Sequence, residues 1–229
     1  MDLVAPPRSG LEHDTSVPGR RPGWLLAATV PVSILYIVTA VLTMKVDRAA
    51  DLTPAQLADM RVGWIALNVL WALPVILVAV AVGLLAAPLR RTAAGLTVAT
   101  RSLSLLAALG ILVYIGLSLS VLSFDADRLG DLGRHDAATL TSLGSYWAAM
   151  VTTMLLGVAL FTSRLLRRTG IVVAVIVGLL LVADVIAYLP GLTGSVSLDD
   201  VSSFPPLLIS FVWLALGIGL LRRRIASAA

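Results

Sequence analysis

The stretch from Gly170 to Pro190 reads GIVVAVIVGLLLVADVIAYLP, and Asp184 is the one charged residue in it. A run of about 20 apolar residues is long enough to cross the hydrocarbon core of a bilayer as an α-helix. A charged side chain at that depth is costly, so we expect Asp184 either to face the interior of a helix bundle with a partner or to be protonated. The stretch therefore predicts a membrane-spanning helix with one candidate functional residue.

The composition of the whole chain supports a membrane protein with several spans. Apolar residues make up 59% of the 229 positions and charged residues only 13%. A soluble domain of this length could not cover so much apolar surface. Cysteine is absent, which excludes disulfides, thiol catalysis and cysteine-ligated metals. The residues predict no cofactor.

Six apolar segments are long enough to span a bilayer, and they predict an all-α bundle of six transmembrane helices over residues 24–224. Helices are expected because they satisfy their own backbone polar groups in lipid. Residues 1–23 are rich in Pro, Gly and charge, which predicts a disordered cytoplasmic tail, and residues 225–229 form a second short tail. The six segments are Trp24 to Met44, Val62 to Ala87, Ser102 to Phe124, Tyr146 to Ser163, Gly170 to Leu189, and Phe204 to Leu221.

The distribution of charge predicts the orientation. Twelve of the 17 Lys and Arg residues lie in the N-terminal tail, the second and fourth loops and the C-terminal end. By the positive-inside rule, both termini are then cytoplasmic, and the protein is a multi-pass protein of the plasma (inner) membrane. This topology explains the basic balance of the chain, so we expect the lipid bilayer and no nucleic acid as a partner.

The first outer loop contains a helix-start signal. Thr53 and Gln56 match a capping box, and Pro54 stands at the first helical position between them. We expect a short interfacial helix from Pro54 to Arg61, leading into Trp64.

The third outer loop is the most acidic. Its acids match several positions of a calcium-binding loop, but Leu129 stands at a ligand position and Asp136 stands where a bidentate Glu is usual. A solvated acidic loop is the favoured interpretation, and no metal site is predicted.

Small residues repeat at four-residue spacing in three segments, a pattern that lets neighbouring helices approach closely. The stripes join helices within one chain or between two copies, so a homodimer or a partner membrane protein stays open. They are Gly170, Ala174 and Gly178; Ala79, Gly83 and Ala87; and Ala149, Thr153 and Gly157.

Polar residues form a layer when they are placed by depth. Counted at about 1.5 Å per residue from the outer end of each helix, all six helices contribute a polar side chain about 8 to 12 Å below the outer surface. Asn68 and Tyr188 are the candidates to hydrogen-bond Asp184, because Asn68 lies at the same depth and Tyr188 lies four residues away on the same face. The layer comprises Tyr36, Thr39, Asn68, Ser118, Thr152, Thr153, Asp184 and Ser210.

Three segments of the sequence resemble bacterial six-helix membrane proteins of the domain-of-unknown-function 4386 type. They are RSL at Arg101 to Leu103, ALFTSRLLRRTGIVVAVIVGLLL at Ala159 to Leu181, and FPPLLISFVWLALGIGLLRR at Phe204 to Arg223. The resemblance implies an integral plasma-membrane protein and transfers no catalytic residue to this chain.

Several functions stay open. The favoured hypothesis is a non-enzymatic protein that binds a small or lipophilic ligand, or a partner helix, at the polar layer. A proton-coupled transporter or exporter, or an immunity component, is the second. A membrane-embedded enzyme that uses Asp184 as acid or base on a lipophilic substrate is the third, but the layer holds no second acid. The polar layer can also be purely structural, and the tryptophans are expected to be interface anchors or packing residues.

Overall fold

The structure, a computed structural model, describes residues 20–43, 53–123, 133–193, 195 and 205–227. Within these ranges the regular structure is helical and no strand is present, so the prediction of an all-α chain is confirmed. The helices are α1 (Arg20–Ala27), α2 (Thr29–Thr43), α3 (Pro54–Asp59), α4 (Arg61–Arg90), α5 (Ala94–Ser120), α6 (Gly133–Thr162), α7 (Arg167–Leu192) and α8 (Pro205–Ser227). A 3₁₀ turn, Val121–Ser123, follows α5.

Among the described residues, five helical segments are long and apolar enough to cross a membrane. The apolar part of α8 is shorter and runs from Leu208 to Arg222. The five longer segments are Arg20–Thr43, which contains α1 and α2, and then Arg61–Arg90, Ala94–Ser120, Asp136–Thr162 and Arg167–Leu192.

The first of these segments is broken at Ala28, where the hydropathy pattern predicts a continuous helix. Pro31 explains the break, because its ring has no N–H and clashes with the carbonyl four residues earlier, that of Ala27. The hydroxyl of Thr29 donates a hydrogen bond of 2.7 Å to the carbonyl of Leu26 beside the break. This bond fixes the side chain of Thr29 at the break.

Two helices begin earlier than the hydropathy pattern predicts. α5 begins at Ala94 rather than Ser102, and α6 begins at Gly133 rather than Tyr146. Hydropathy detects only the apolar part of a helix, whereas the polar turns that precede it are also helical here. Asp136, the last position of the calcium-loop pattern, is an exposed residue of α6. The other acids of that pattern, at positions 125, 127 and 131, lie outside the described residues.

The short helix α3 begins as its sequence predicts. Thr53 is the N-cap, its hydroxyl accepts from the backbone N–H of Gln56, and the side chain of Gln56 accepts from the backbone N–H of Thr53. Leu57 of α3 is buried against Trp64 and Val121. This contact holds α3 against the beginning of α4 and the end of α5.

The bundle has α4 and α6 near its centre and α7 at its edge. α6 packs between α5 and α7, α4 packs against α5 and α2, and α8 closes the bundle against α1 and α7. Side chains such as Met150 and Trp213 are fully buried between them. By contrast, Leu179 and Val182 of α7 are more than half exposed, as expected of side chains that face lipid.

Two pairs of helices touch backbone to backbone at one end of the bundle. A Cβ atom at Gly157 of α6 would lie 2.6 Å from the carbonyl oxygen of Gly170 of α7. A Cβ atom at Gly217 of α8 would lie 2.6 Å from the carbonyl oxygen of Gly23 of α1. We call this region, defined by these four glycines, the glycine end.

The remaining small residues of the stripes differ in how closely they pack against other helices. Ala174 is buried near Gly157, and Gly178 approaches only the sulfur of Met154, at 3.8 Å from an added Cβ. Gly83 of α4 is exposed, as is Ala87, and an added Cβ at Gly83 would meet no atom within 4 Å. The stripe on α6 and α7 therefore joins helices within the chain, whereas the stripe from Ala79 to Ala87 faces outward at Gly83 and Ala87.

Candidate functional site

The carboxyl group of Asp184 lies between α7 and α6, fully buried at 0% exposure. The indole nitrogen Nε1 of Trp147 in α6 donates a hydrogen bond of 2.7 Å to Oδ2 of Asp184. The ring of Tyr188 meets the ring of Trp147 edge to face, with the centroids 6.5 Å apart. We call Asp184, Trp147 and Tyr188 the Asp184 cluster.

The Asp184 cluster lies at the periphery of the bundle. Trp147 and Tyr188 are half-buried, and the neighbours of Asp184 along α7, Ala183 and Val185, are exposed. α7 packs against α6 and α8, so the cluster lies close to the outer face of an edge helix.

Asn68, which matches Asp184 in depth, does not hydrogen-bond it. The amide Nδ2 of Asn68 donates to the carbonyl oxygen of Trp64 at 2.8 Å, and its Oδ1 accepts from the hydroxyl of Tyr114 at 2.6 Å. The reason is the helix arrangement, because α4 packs against α2 and α5 whereas α7 packs against α6 and α8. Equal depth in the membrane does not make two residues neighbours.

Tyr36 belongs to an aromatic stack on α2, α4 and α6. Its ring centroid lies 5.0 Å from that of Trp71, which lies 4.7 Å from that of Tyr146. Two hydrogen bonds fix the stack: Trp71 Nε1 donates to Ser142 Oγ at 2.7 Å, and the hydroxyl of Tyr146 donates to the carbonyl oxygen of Trp71 at 2.6 Å. The stack therefore packs α2, α4 and α6 together.

The other residues of the predicted layer lie in separate clusters. Thr153 accepts a hydrogen bond of 2.8 Å from Nε1 of Trp213, and the hydroxyls of Ser210 and Ser33 are 2.8 Å apart. The layer is therefore divided among several helix contacts, with Asp184 in only one of them. Ser118 and Thr39 take part through their backbone carbonyls. The carbonyl of Ser118 accepts from the indole of Trp64, and the carbonyl of Thr39 accepts from the hydroxyl of Thr43.

Thr152 differs from these residues. It is fully buried, and its hydroxyl is the one buried side-chain polar atom without a hydrogen-bond partner in the part of the chain that the structure describes. Ser145 lies seven residues earlier in α6 and faces Gly110 of α5. Because seven residues are about two helical turns, Thr152 lies on the same face toward α5, away from the α7 contact.

Four tryptophans, expected to be interface anchors or packing residues, also link the helices by hydrogen bonds. Each indole N–H donates to a group on another helix, and the acceptors are the Ser118 carbonyl, Ser142, Asp184 and Thr153. A buried indole N–H needs a partner, since leaving it unpaired is costly. In the sequence, these pairs are indicated only by position: each tryptophan and its acceptor residue fall in or next to the same half of the predicted spans. We call the region that contains Trp64, Trp71, Tyr146 and Trp147 the aromatic end.

The chemistry available to the Asp184 cluster is that of a single carboxyl group beside two aromatic rings. No group of three or more His, Cys, Asp or Glu residues that would suit a metal ion is present among the described residues. A carboxylate pairs with a cation, and the faces of Trp and Tyr attract cations as well. The cluster is therefore suited to binding a cationic or hydrogen-bond-donating group.

No protein-family model, no curated protein and no solved structure matches this chain. The resemblance to the domain-of-unknown-function 4386 type stays a prediction.

Proposed function

We propose that this protein is a six-helix plasma-membrane protein that binds a lipophilic cation at the Asp184 cluster. The observation that carries the proposal is the full burial of a carboxyl group in a membrane-spanning helix, hydrogen-bonded by Trp147 and flanked by Tyr188. Ionisable residues at such positions commonly mark ligand or ion sites. Two adjacent aromatic rings add a preference for positive charge.

The proposed topology has α8 as a sixth span and both termini in the cytoplasm. Support comes from the sequence, in which 12 of the 17 basic residues fall on one side when the six apolar segments alternate in direction. It also comes from the contact between α1 and α8, because Gly23 near the beginning of α1 meets Gly217 in the second half of α8. In this topology the aromatic end lies in the outer half of the membrane.

Binding is tested with tetraphenylphosphonium as the probe, measured by equilibrium dialysis against the full chain in detergent micelles. We expect saturable binding that is weakened at least about tenfold by Asp184→Asn, because that change removes the charge from a buried ion pair. The amide keeps an oxygen that can accept from Trp147, so the fold is preserved. Asp184→Glu is expected to retain part of the affinity.

The matched control is Asp136→Asn, which removes the same charge from an exposed position on α6. It is expected to leave probe binding unchanged. Equal binding by wild type and Asp184→Asn would contradict the proposal. A probe affinity that falls equally in both variants would show that net charge, rather than the Asp184 cluster, attracts the cation.

Proton-coupled transport is the second candidate, and the full burial of Asp184 in an apolar helix favours it. Acidic residues inside membrane helices also serve as proton carriers in transporters. The test uses the full chain in proteoliposomes with an imposed pH gradient and the same probe. Gradient-driven probe movement that is lost in Asp184→Asn would support transport, whereas saturable binding without movement would leave ligand binding as the function.

A further inference from the structure

A separate cavity lies where α2 ends and α4 begins, beside the short helix α3. Its volume is about 280 Å³, near the lower limit of about 300 Å³ for small-molecule pockets. It is thus large enough for a lipid head group but not for a whole lipid. Apolar and polar groups share the lining, which consists of Leu42, Thr43, Gln56, Asp59, Met60, Val62 and Gly63.

The apolar part of the lining faces outward at the end of two membrane-spanning segments. Leu42 is 76% exposed and Val62 is 82% exposed, and each belongs to the last or first turn of its segment. Apolar side chains this exposed at the end of a span lie next to the acyl chains and head groups of the bilayer. The cavity therefore opens at the depth of the lipid head groups.

Two exposed charges lie at the cavity or next to one of its lining residues. Asp59 lines it, and Arg61 follows two residues later, across the junction of α3 and α4 at Met60. Neither side chain makes an ion pair or a hydrogen bond with the described part of the chain, whereas the nearby Gln56 is held by the capping box. An acid and a base are thus two residues apart at this junction.

The position of α3 is fixed from the side opposite the cavity. Leu57 anchors α3 against Trp64, and Thr43 approaches Gly63 so closely that a Cβ atom there would lie 2.6 Å from Thr43 Cγ2. The cavity wall on α2 and its wall on α4 are therefore in direct contact at Gly63. Asp59 is held at the rim by a helix that is anchored at its other face.

We propose that this cavity binds the head group of a phospholipid that carries a primary ammonium group. Asp59 accepts the ammonium, Arg61 pairs with the phosphate, and Leu42 and Val62 contact the beginning of the acyl chains. The charges of Asp59 and Arg61 favour this occupant. In a lipid without an ammonium group, the carboxylate of Asp59 would lie near a phosphate of the same sign with no positive group between them. The proposal is independent of ligand binding at the Asp184 cluster.

The test is native mass spectrometry of the full chain in detergent, with short-chain phosphatidylethanolamine, phosphatidylcholine and phosphatidylglycerol supplied at equal concentrations. We expect the wild type to retain phosphatidylethanolamine about fivefold more than phosphatidylglycerol, the size expected of one exposed ion pair. Asp59→Asn should abolish this preference. Arg61→Gln should lower the retention of all three lipids, since all carry the phosphate.

Asp136→Asn serves as the control, since it removes an exposed acid from another helix, and it should keep the preference. Equal retention of the three lipids by the wild type would overturn the proposal, as would a preference that survives Asp59→Asn. If phosphatidylcholine were retained as strongly as phosphatidylethanolamine, the cavity would recognise the positive charge of the head group and not its primary ammonium. That result would overturn the primary ammonium part of the proposal.

Discussion

The glycine end and the aromatic end hold helices together by different means, and the contact between α6 and α7 contains both. At the glycine end, α6 meets α7 and α1 meets α8 through backbone atoms, with Gly157 against Gly170 and Gly23 against Gly217. At the aromatic end, large rings separate the helices, and indole or hydroxyl groups hydrogen-bond across the gaps. Along α7 the two regions are about 21 Å apart, from Gly170 to Asp184.

The difference bears on where a ligand is expected to bind. Backbone contact between glycines excludes everything else, because even one added carbon atom would clash. Side-chain hydrogen bonds across a wider gap leave polar groups that can exchange one partner for another. We therefore expect the glycine end to determine stability and the aromatic end to carry function.

The largest effect is expected at the glycine end, from Gly157→Ala. The added Cβ meets the carbonyl oxygen of Gly170 at 2.6 Å and the backbone nitrogen of Ala174 at 3.1 Å, and backbone atoms cannot move aside as a flexible side chain can. We expect a loss of about 2 kcal/mol in the free energy of unfolding, a typical value for overpacking. The measurement is unfolding in mixed micelles by titration with sodium dodecyl sulfate.

Gly83→Ala is the matched control, because it makes the same change in a helix where an added Cβ meets no atom within 4 Å. It should leave stability unchanged or raise it by up to about 1 kcal/mol, since Ala is the better helix former. Similar losses in the two variants would show that close packing at the glycine end is not what stabilises the bundle.

The second effect is expected at the Asp184 cluster, from Asp184→Leu. This change leaves the indole N–H of Trp147 without its acceptor, which costs about 1–2 kcal/mol for a buried donor. Asp184→Asn should lose clearly less, because the amide oxygen accepts the same hydrogen bond. The same unfolding titration compares the two variants.

A double variant makes this comparison specific. Adding Trp147→Phe to Asp184→Leu removes the indole N–H that the first change leaves without an acceptor. The double variant should therefore be more stable than the sum of the two single losses predicts. Strict additivity would contradict a direct energetic link between Trp147 and Asp184.

The smallest effect is expected from Tyr114→Phe, which removes the hydroxyl that donates to Asn68. Hydrogen bonds between membrane helices contribute about 0.6 kcal/mol on average, and we expect a loss of that size. Tyr36→Phe is the control, because the structure shows its ring stacked on Trp71 and, among the described residues, no hydrogen bond from its hydroxyl. A larger loss from Tyr36→Phe than from Tyr114→Phe would contradict this account of the aromatic end.

Much of the fold was predictable from the sequence, because an apolar segment in lipid must form a helix to satisfy its own backbone polar groups. The all-α class, the centres of the apolar helices and the capping box at Thr53 all follow from local patterns, namely hydropathy and residue spacing. The beginnings of α5 and α6 were placed too late, since the polar turns before a span have no hydropathy signal. Hydropathy alone also does not reveal the break at Ala28, which Pro31 marks.

The partners of the polar residues were less predictable. The bond from Trp147 to Asp184 joins residues 37 positions apart, and it depends on how α6 and α7 are rotated about their axes. In a lipid environment the outward face is as apolar as the inward face, so the pattern along α7 does not show which side Asp184 faces. The contact of Gly23 with Gly217 was missed for a related reason, because neither residue belongs to a predicted stripe.

The most direct test of the central claim is infrared difference spectroscopy of the carboxyl group of Asp184 in nanodiscs, with and without tetraphenylphosphonium. The band is assigned by its absence from the spectrum of Asp184→Asn. We expect the probe to shift a carboxyl band of the wild type in a saturable manner and to produce no such shift in the variant. Difference spectra that are identical in the two proteins would show that no cation reaches Asp184, and the cluster would then be a structural link between α6 and α7.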